Sequence, residues 1–128
     1  MKNLASMVVT TLMLLITTPA IGEIKLADQW RTEDTVREVV FLGLWFVDTS
    51  QGHYIAEHPD RYGEQNVLLG KHPSKATFNQ YFIGCALSHL LVSALLPPDE
   101  RMVFQVATIG MEIWCVNHNY FMGIEMSW

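Results

Sequence analysis

Long apolar stretches, broken by a proline pair and by one polar loop, dominate the hydrophobic pattern of the chain. Residues 76–98 contain no Asp, Glu, Lys or Arg. Within them the apolar run 78–96 predicts a helix. Thr77 is its expected N-cap, with Gln80 three residues on completing a capping box, and Pro97-Pro98 ends it. At ~1.5 Å per residue this run is about 28 Å long, close to a hydrocarbon core of roughly 30 Å. Gly84 and Ser88, four residues apart, give it a small-residue face that admits close helix approach. A further helix is expected over residues 100–122. Asp99 and Glu100 sit at its start, where they suit the helix dipole, and Glu112 is the one charge within 102–124. The two-proline turn between these segments predicts an antiparallel hairpin. An earlier helix is expected over residues 34–56. Its stretch 39–47 is wholly apolar, Thr32 is a suitable cap, and Glu33 and Asp34 favour the first turn, but Asp48, Gln51 and His53 follow.

Residues 1–22 read as a secretory signal. Lys2 supplies the charged start, 4–16 the apolar run, and Pro19-Ala20-Ile21-Gly22 small residues before a cleavage point near Gly22–Glu23. The same 4–22 stretch is 19 residues, long enough to remain as a membrane anchor. Residues 57–77 form a polar loop rich in His, Pro and Gly. Its candidate residues are Glu64, Asn66 and His72, and 66–70 is apolar enough to dip into a membrane interface and seat Glu64 and Asn66 against the helices. The fold expected is therefore all-α: a small helical membrane bundle of about three transmembrane helices, one domain over 23–128, behind a signal or anchor. A soluble exported bundle is the alternative, but a fully apolar helix in a three-helix soluble protein would expose much of its surface to water.

Composition narrows the function classes. Half of the 128 residues are hydrophobic and 16% are charged, against about a quarter in ordinary globular chains, so disorder does not describe the chain. A net charge of −5 with eight Lys plus Arg argues against nucleic acid as a partner. Lys25, Arg31 and Arg37 flank the first helix on one side and Arg61, Lys71 and Lys75 on the other, so charge sets no orientation. Signal cleavage would place the 57–77 loop in the cytoplasm. The compartment expected is the bacterial inner membrane, or the periplasm if the chain is soluble.

At membrane depth the informative residues are Asp48, Gln51, His89, Glu112 and Asn119. A charge there costs at least ~2.5–3.5 kcal/mol, so such groups face the bundle interior and find partners. Gln105, Thr108, Glu112, Cys115 and Asn119 follow three- and four-residue steps and make one polar stripe. Around the proline pair, His89 and Glu112 fall within about one turn of the same depth, which makes a cluster of Asp48, His89 and Glu112 geometrically feasible. Such groups either lock helix packing or form a proton, ion or catalytic site. No HExxH, paired-cysteine, GxSxG or phosphate-loop motif is present, and no metal or cofactor is expected. Cys85 and Cys115 read as inert buried thiols, or as a disulfide if the chain is soluble and exported.

Several stretches carry a resemblance: residues 35–40, Asp48-Thr49-Ser50-Gln51, the run 64–74 that reads ExNxxLGxHPS, Leu96-Pro97-Pro98, and 119–123. Together they resemble a group of small uncharacterised membrane proteins of phages, prophages and proteobacteria. The likeness spans most of the chain after the signal, and the ExNxxLGxHPS stretch is its most specific part. At Asp48–Gly52 this chain departs from the Asp-Trp-Gly-Gln-Thr-like run of the group. The resemblance implies an architecture and a phage or bacterial source, and brings no catalytic residues. The function expected is that of a small integral inner-membrane protein acting through contacts with lipid, with other envelope proteins or with copies of itself. The alternatives are a membrane-embedded enzyme or proton-coupled site, and a soluble exported binding module.

Overall fold

The computed structural model describes residues 26–128; the expected signal or anchor, 1–22, lies outside them. Three helices follow a short turn: α1 (Thr32–Glu57), α2 (Lys75–Leu95) and α3 (Pro98–Phe121). No strand occurs among the described residues. At ~1.5 Å per residue the helices are about 39, 32 and 36 Å long. All three expected helices are present, each beginning two or three residues earlier than the pattern suggested.

Local chemistry sets their ends. The Arg31 N–H that precedes α1 donates to Asp34 Oδ2 at 2.9 Å. The cap of α2 is Ser74, whose hydroxyl accepts from the Thr77 N–H at 3.2 Å. Thr77 thus stands inside the first turn and is not the cap. Leu96 takes an extended conformation (φ −78°, ψ 142°) ahead of Pro97, and Pro98 begins α3, where its missing N–H costs nothing. At the far end, Gly123 adopts φ +77° and the Ile124 N–H reaches back to Asn119 O at 3.0 Å. A left-handed residue after the last turn with this backward bond is the Schellman closure.

α1 and α3 run parallel and pack most extensively; α2 runs opposite and leans mainly on α1. The hairpin partners α2 and α3 touch each other least. The tail after α3 turns under the bundle. There the Ser127 N–H donates to Ser50 O (3.0 Å), Lys75 Nζ to Trp128 O (2.8 Å), and the Trp128 ring sits 5.0 Å from Phe46. The small-residue face at Gly84 and Ser88 is exposed, and no described residue lies against Gly84. Close helix approach occurs elsewhere: a Cβ on Gly52 would lie 2.8 Å from the Phe78 ring.

The distribution of burial is inverted relative to a water-soluble bundle. Among the described residues six hydrophobic side chains are buried, Phe41, Ile55, Phe78, Phe82, Phe104 and Ile124, against nine polar or charged ones, from Asp34 to Glu112. Meanwhile Val36, Val39, Phe46, Ile83, Leu87, Leu91, Val103, Val106 and Trp114 are all more than half exposed. Among the described residues α2 is the one helix long and apolar enough to cross a membrane.

Candidate functional site: a polar seam through the bundle

The interior of the bundle is a seam of polar side chains. On α3 it comprises Arg101, Gln105, Thr108, Glu112, Cys115 and Asn119, in strict four–three alternation. Those 18 steps cover about 27 Å at ~1.5 Å each, nearly the full length of the helix. On α1 the positions Asp34, Glu38, Phe41, Trp45 and Asp48 again follow four–three steps. Asp34, Glu38 and Asp48 bond to side chains of α3, whereas Phe41 and Trp45 between them pack on His89 and Phe82 of α2.

At the end nearest the α2–α3 turn, Arg101 is fully buried and each of its three nitrogens donates. Its Nε donates to Ser93 O (2.8 Å), Nη1 to Asp34 Oδ2 (3.1 Å), and Nη2 to Asp28 O (2.8 Å) and Leu96 O (2.9 Å). Its guanidinium also stacks 4.8 Å from the Trp30 ring. Arg37 holds the second oxygen of Asp34 and donates to Gln105 Oε1 at 2.8 Å. Two guanidinium groups on one carboxylate, with the backbone N–H of Arg31, satisfy it.

In the middle, the His89 ring lies between Phe41 of α1 (3.6 Å, 8° between planes) and Phe104 of α3 (4.7 Å, 28°). Its Nε2 is 2.9 Å from Thr108 Oγ1 and its Nδ1 3.2 Å from Glu38 Oε2. The Thr108 hydroxyl spends its single proton on a carbonyl of its own helix, Phe104 O or Gln105 O, both at 3.0 Å. The Thr108 hydroxyl and the Glu38 carboxyl thus hold the two ring nitrogens of His89 from opposite sides. Gln105 Nε2 completes the set by donating to Glu38 Oε1 at 2.8 Å.

Towards the loop, Asn119 Nδ2 donates to Asp48 Oδ1 (3.0 Å) and Gln51 Oε1 (3.2 Å), and Gln51 Nε2 to Val116 O (3.3 Å). Glu112 is 7% exposed, and its Oε2 is buried with no hydrogen-bond partner. Glu112 lies seven residues before Asn119 on the same stripe of α3, and Asn119 bonds to Asp48 of α1, so the two carboxyl groups share one end of the seam, with Glu64 of the loop near Asp48. The loop is held by its own bonds: Glu64 N–H to Lys71 O (2.9 Å), Asn66 N–H to Glu64 Oε1 (2.7 Å), and Leu68 N–H to Asn66 Oδ1 (3.0 Å). Gly70 closes it at φ +75°. Burial pushes the Glu64 carboxyl above its ordinary range. Val67 and Leu68 project outwards at the loop tip, so Glu64 and Asn66 are half-buried while the apolar part stands free.

Of the residues singled out in the sequence, the structure brings Asp48, Gln51, Glu112 and Asn119 into one neighbourhood, with Glu64 and Asn66 above it. His89 is not part of it. The expected Asp48–His89–Glu112 cluster is corrected to two: His89 pairs with Glu38 and Thr108, because its ring points towards the start of α1. His72 is exposed. Cys85 and Cys115 are free, half-buried thiols. Asp34, Glu38 and Arg101 are the interior residues that the sequence reading missed. The signal for them was the continuation of the same four–three steps, back from Asp48 on α1 and back from Gln105 on α3. Comparison with protein families, with curated proteins and with solved structures finds nothing that matches this chain.

Proposed function

We propose that the chain is a small integral membrane protein whose three helices cross the bilayer around the polar seam. On this reading it acts in the envelope through its apolar outer faces, by contact with lipid and with other membrane-embedded helices. The observation that carries this reading is the inversion of burial. Charged groups sit inside, Asp34, Glu38 and Arg101 with hydrogen-bond partners, while Val, Leu, Ile and Phe side chains cover the outside of all three helices. In water that exterior would be an aggregation hazard; in lipid it needs no partner. Mean hydropathy singles out α2 alone because the inward residues Asp34, Glu38, Arg101 and Glu112 lower the average on α1 and α3. The outer faces, which are what lipid would meet, are apolar on all three. Moreover, only 22% of the apolar window of α2 is buried, whereas a core helix of a soluble protein would be mostly covered. The helix lengths of about 32–39 Å suit a hydrocarbon core of roughly 30 Å with their ends in the headgroups.

Carbonate washing of membranes tests the claim, together with labelling of single cysteines by a membrane-impermeant maleimide in a background lacking Cys85 and Cys115. The chain should stay in the pellet. Cysteines at Leu87 and Val103 should label only after detergent is added, and one at Gln65 should label in opened vesicles. Release by carbonate, or free labelling at Leu87 and Val103 in intact membranes, refutes the reading.

A further inference from the structure

The two ends of the seam are not equivalent. Near the α2–α3 turn the buried carboxyl groups have partners: Asp34 has Arg37 and Arg101, and Glu38 has the His89 ring and the Gln105 amide. Towards the loop there are three carboxylates, Asp48, Glu64 and Glu112, and among the described residues no ion pair reaches any of them. The other titratable groups facing them are Tyr81 and Cys85 from α2 and Cys115 from α3, none of which carries positive charge. The donors present are amides. Asn119 fills Asp48 Oδ1 and Gln51 Oε1, leaving Glu112 Oε2 buried without any donor. A buried acceptor with no partner costs roughly 1–3 kcal/mol, more if charged, and two neighbouring buried carboxylates cannot both ionise cheaply. A proton on one of the carboxyl groups would supply the missing donor and remove one of the charges at this end of the seam.

We propose that Asp48 and Glu112 form a proton-binding pair that holds one proton between them inside the bundle and exchanges it with water on the loop side past Glu64. The proton arrives from hydronium and forms an O–H bond on Glu112, releasing water; that hydroxyl ends the orphaned state of Oε2 and cancels one of the two repelling charges. Glu64, half-buried at the mouth, lies between this pair and solvent and is the group through which a proton can pass in either direction. The site depends only on contacts inside the bundle, so it stands or falls independently of whether lipid surrounds the helices.

Infrared titration of the full-length chain in detergent micelles tests this. The wild type should show a protonated carboxyl C=O band at neutral pH. Glu112→Gln should abolish that band, and Asp48→Asn should alter its position and its titration. Glu64→Gln should leave the band in place but slow its exchange in heavy water. Absence of a protonated carboxyl at neutral pH in the folded wild type overturns the proposal, as does a band that survives unchanged in both Glu112→Gln and Asp48→Asn. Raising sodium, potassium or calcium at fixed pH should not affect the band; its loss on adding salt would assign the site to a metal cation and overturn the proton assignment. Should either variant fail to give a helical circular dichroism spectrum, the wild-type titration and the other variant decide.

Discussion

Replacing Arg101 with Met keeps an unbranched stem and removes the guanidinium, its charge and all of its donors. Arg101 and Asp34 are both fully buried, so water cannot take over. The substitution strips one guanidinium from Asp34 and leaves Asp28 O and Leu96 O without the donors they now have at 2.8 and 2.9 Å. Removing one member of a buried ion pair costs about 3–5 kcal/mol because the other is left uncompensated. Arg37 and the Arg31 N–H remain on Asp34, which places the expected loss near the lower end of that range. Asp34→Leu should cost a similar amount by leaving Arg101 without its counter-charge. The double variant should fall short of the sum by about 2 kcal/mol, within the coupling seen for contacting charged groups. Reversible unfolding in mixed micelles, followed by circular dichroism and by Trp30 fluorescence, measures all three; Trp30 stacks on Arg101 and reports locally. A loss below about 1 kcal/mol for Arg101→Met, or strict additivity, would show that this end of the seam is not a lock.

Gly52→Ala puts a methyl group 2.8 Å from the ring of Phe78, which is 1% exposed and cannot step aside; overpacking should cost about 1–3 kcal/mol in thermal unfolding, and Phe78→Leu in the same chain should recover part of it. His89→Leu removes the donor to Glu38 and should destabilise by about 3–5 kcal/mol, whereas pairing it with Glu38→Leu should recover more than half, measured by the same titration. The raised carboxyl of Glu64 gives a signed pH effect: its contribution to stability is complete below the ordinary glutamate range and is lost as pH rises through its elevated folded value. Glu64→Gln keeps an oxygen for the Asn66 N–H, so unfolding midpoints followed as pH rises should fall less steeply in the variant than in the wild type.

The apolar run of α2 and the polar stripe of α3 were legible because periodicity alone specifies them. The cap of α2 was misplaced by three residues since Ser74 and Thr77 both have capping chemistry; the choice between them depends on where Pro73 lets the chain turn. Depth along the helices put His89 and Glu112 at similar heights, but depth carries no azimuth. Whether His89 met Asp48 or Glu38 on α1 depended on how α1 and α2 cross. Phe41 and Trp45 interrupt the polar members of the α1 stripe, so Asp34 reads as a first-turn helix former and Glu38 does not stand out as an interior group. The tail 122–128 has no helical period, and its docking under Ser50, Glu57 and Lys75 depends on contacts from distant parts of the chain.

The account rests on apolar residues facing lipid while charged ones face each other. Spin labels placed singly at Ile83, Leu87, Leu91, Val103 and Val106 of the chain in bilayers measure this directly through their exposure to oxygen and to a water-soluble relaxation agent. High oxygen exposure with little effect of the water-soluble agent at all five sites is the result expected. Ready access of the water-soluble agent to Leu87 and Val103 would contradict it.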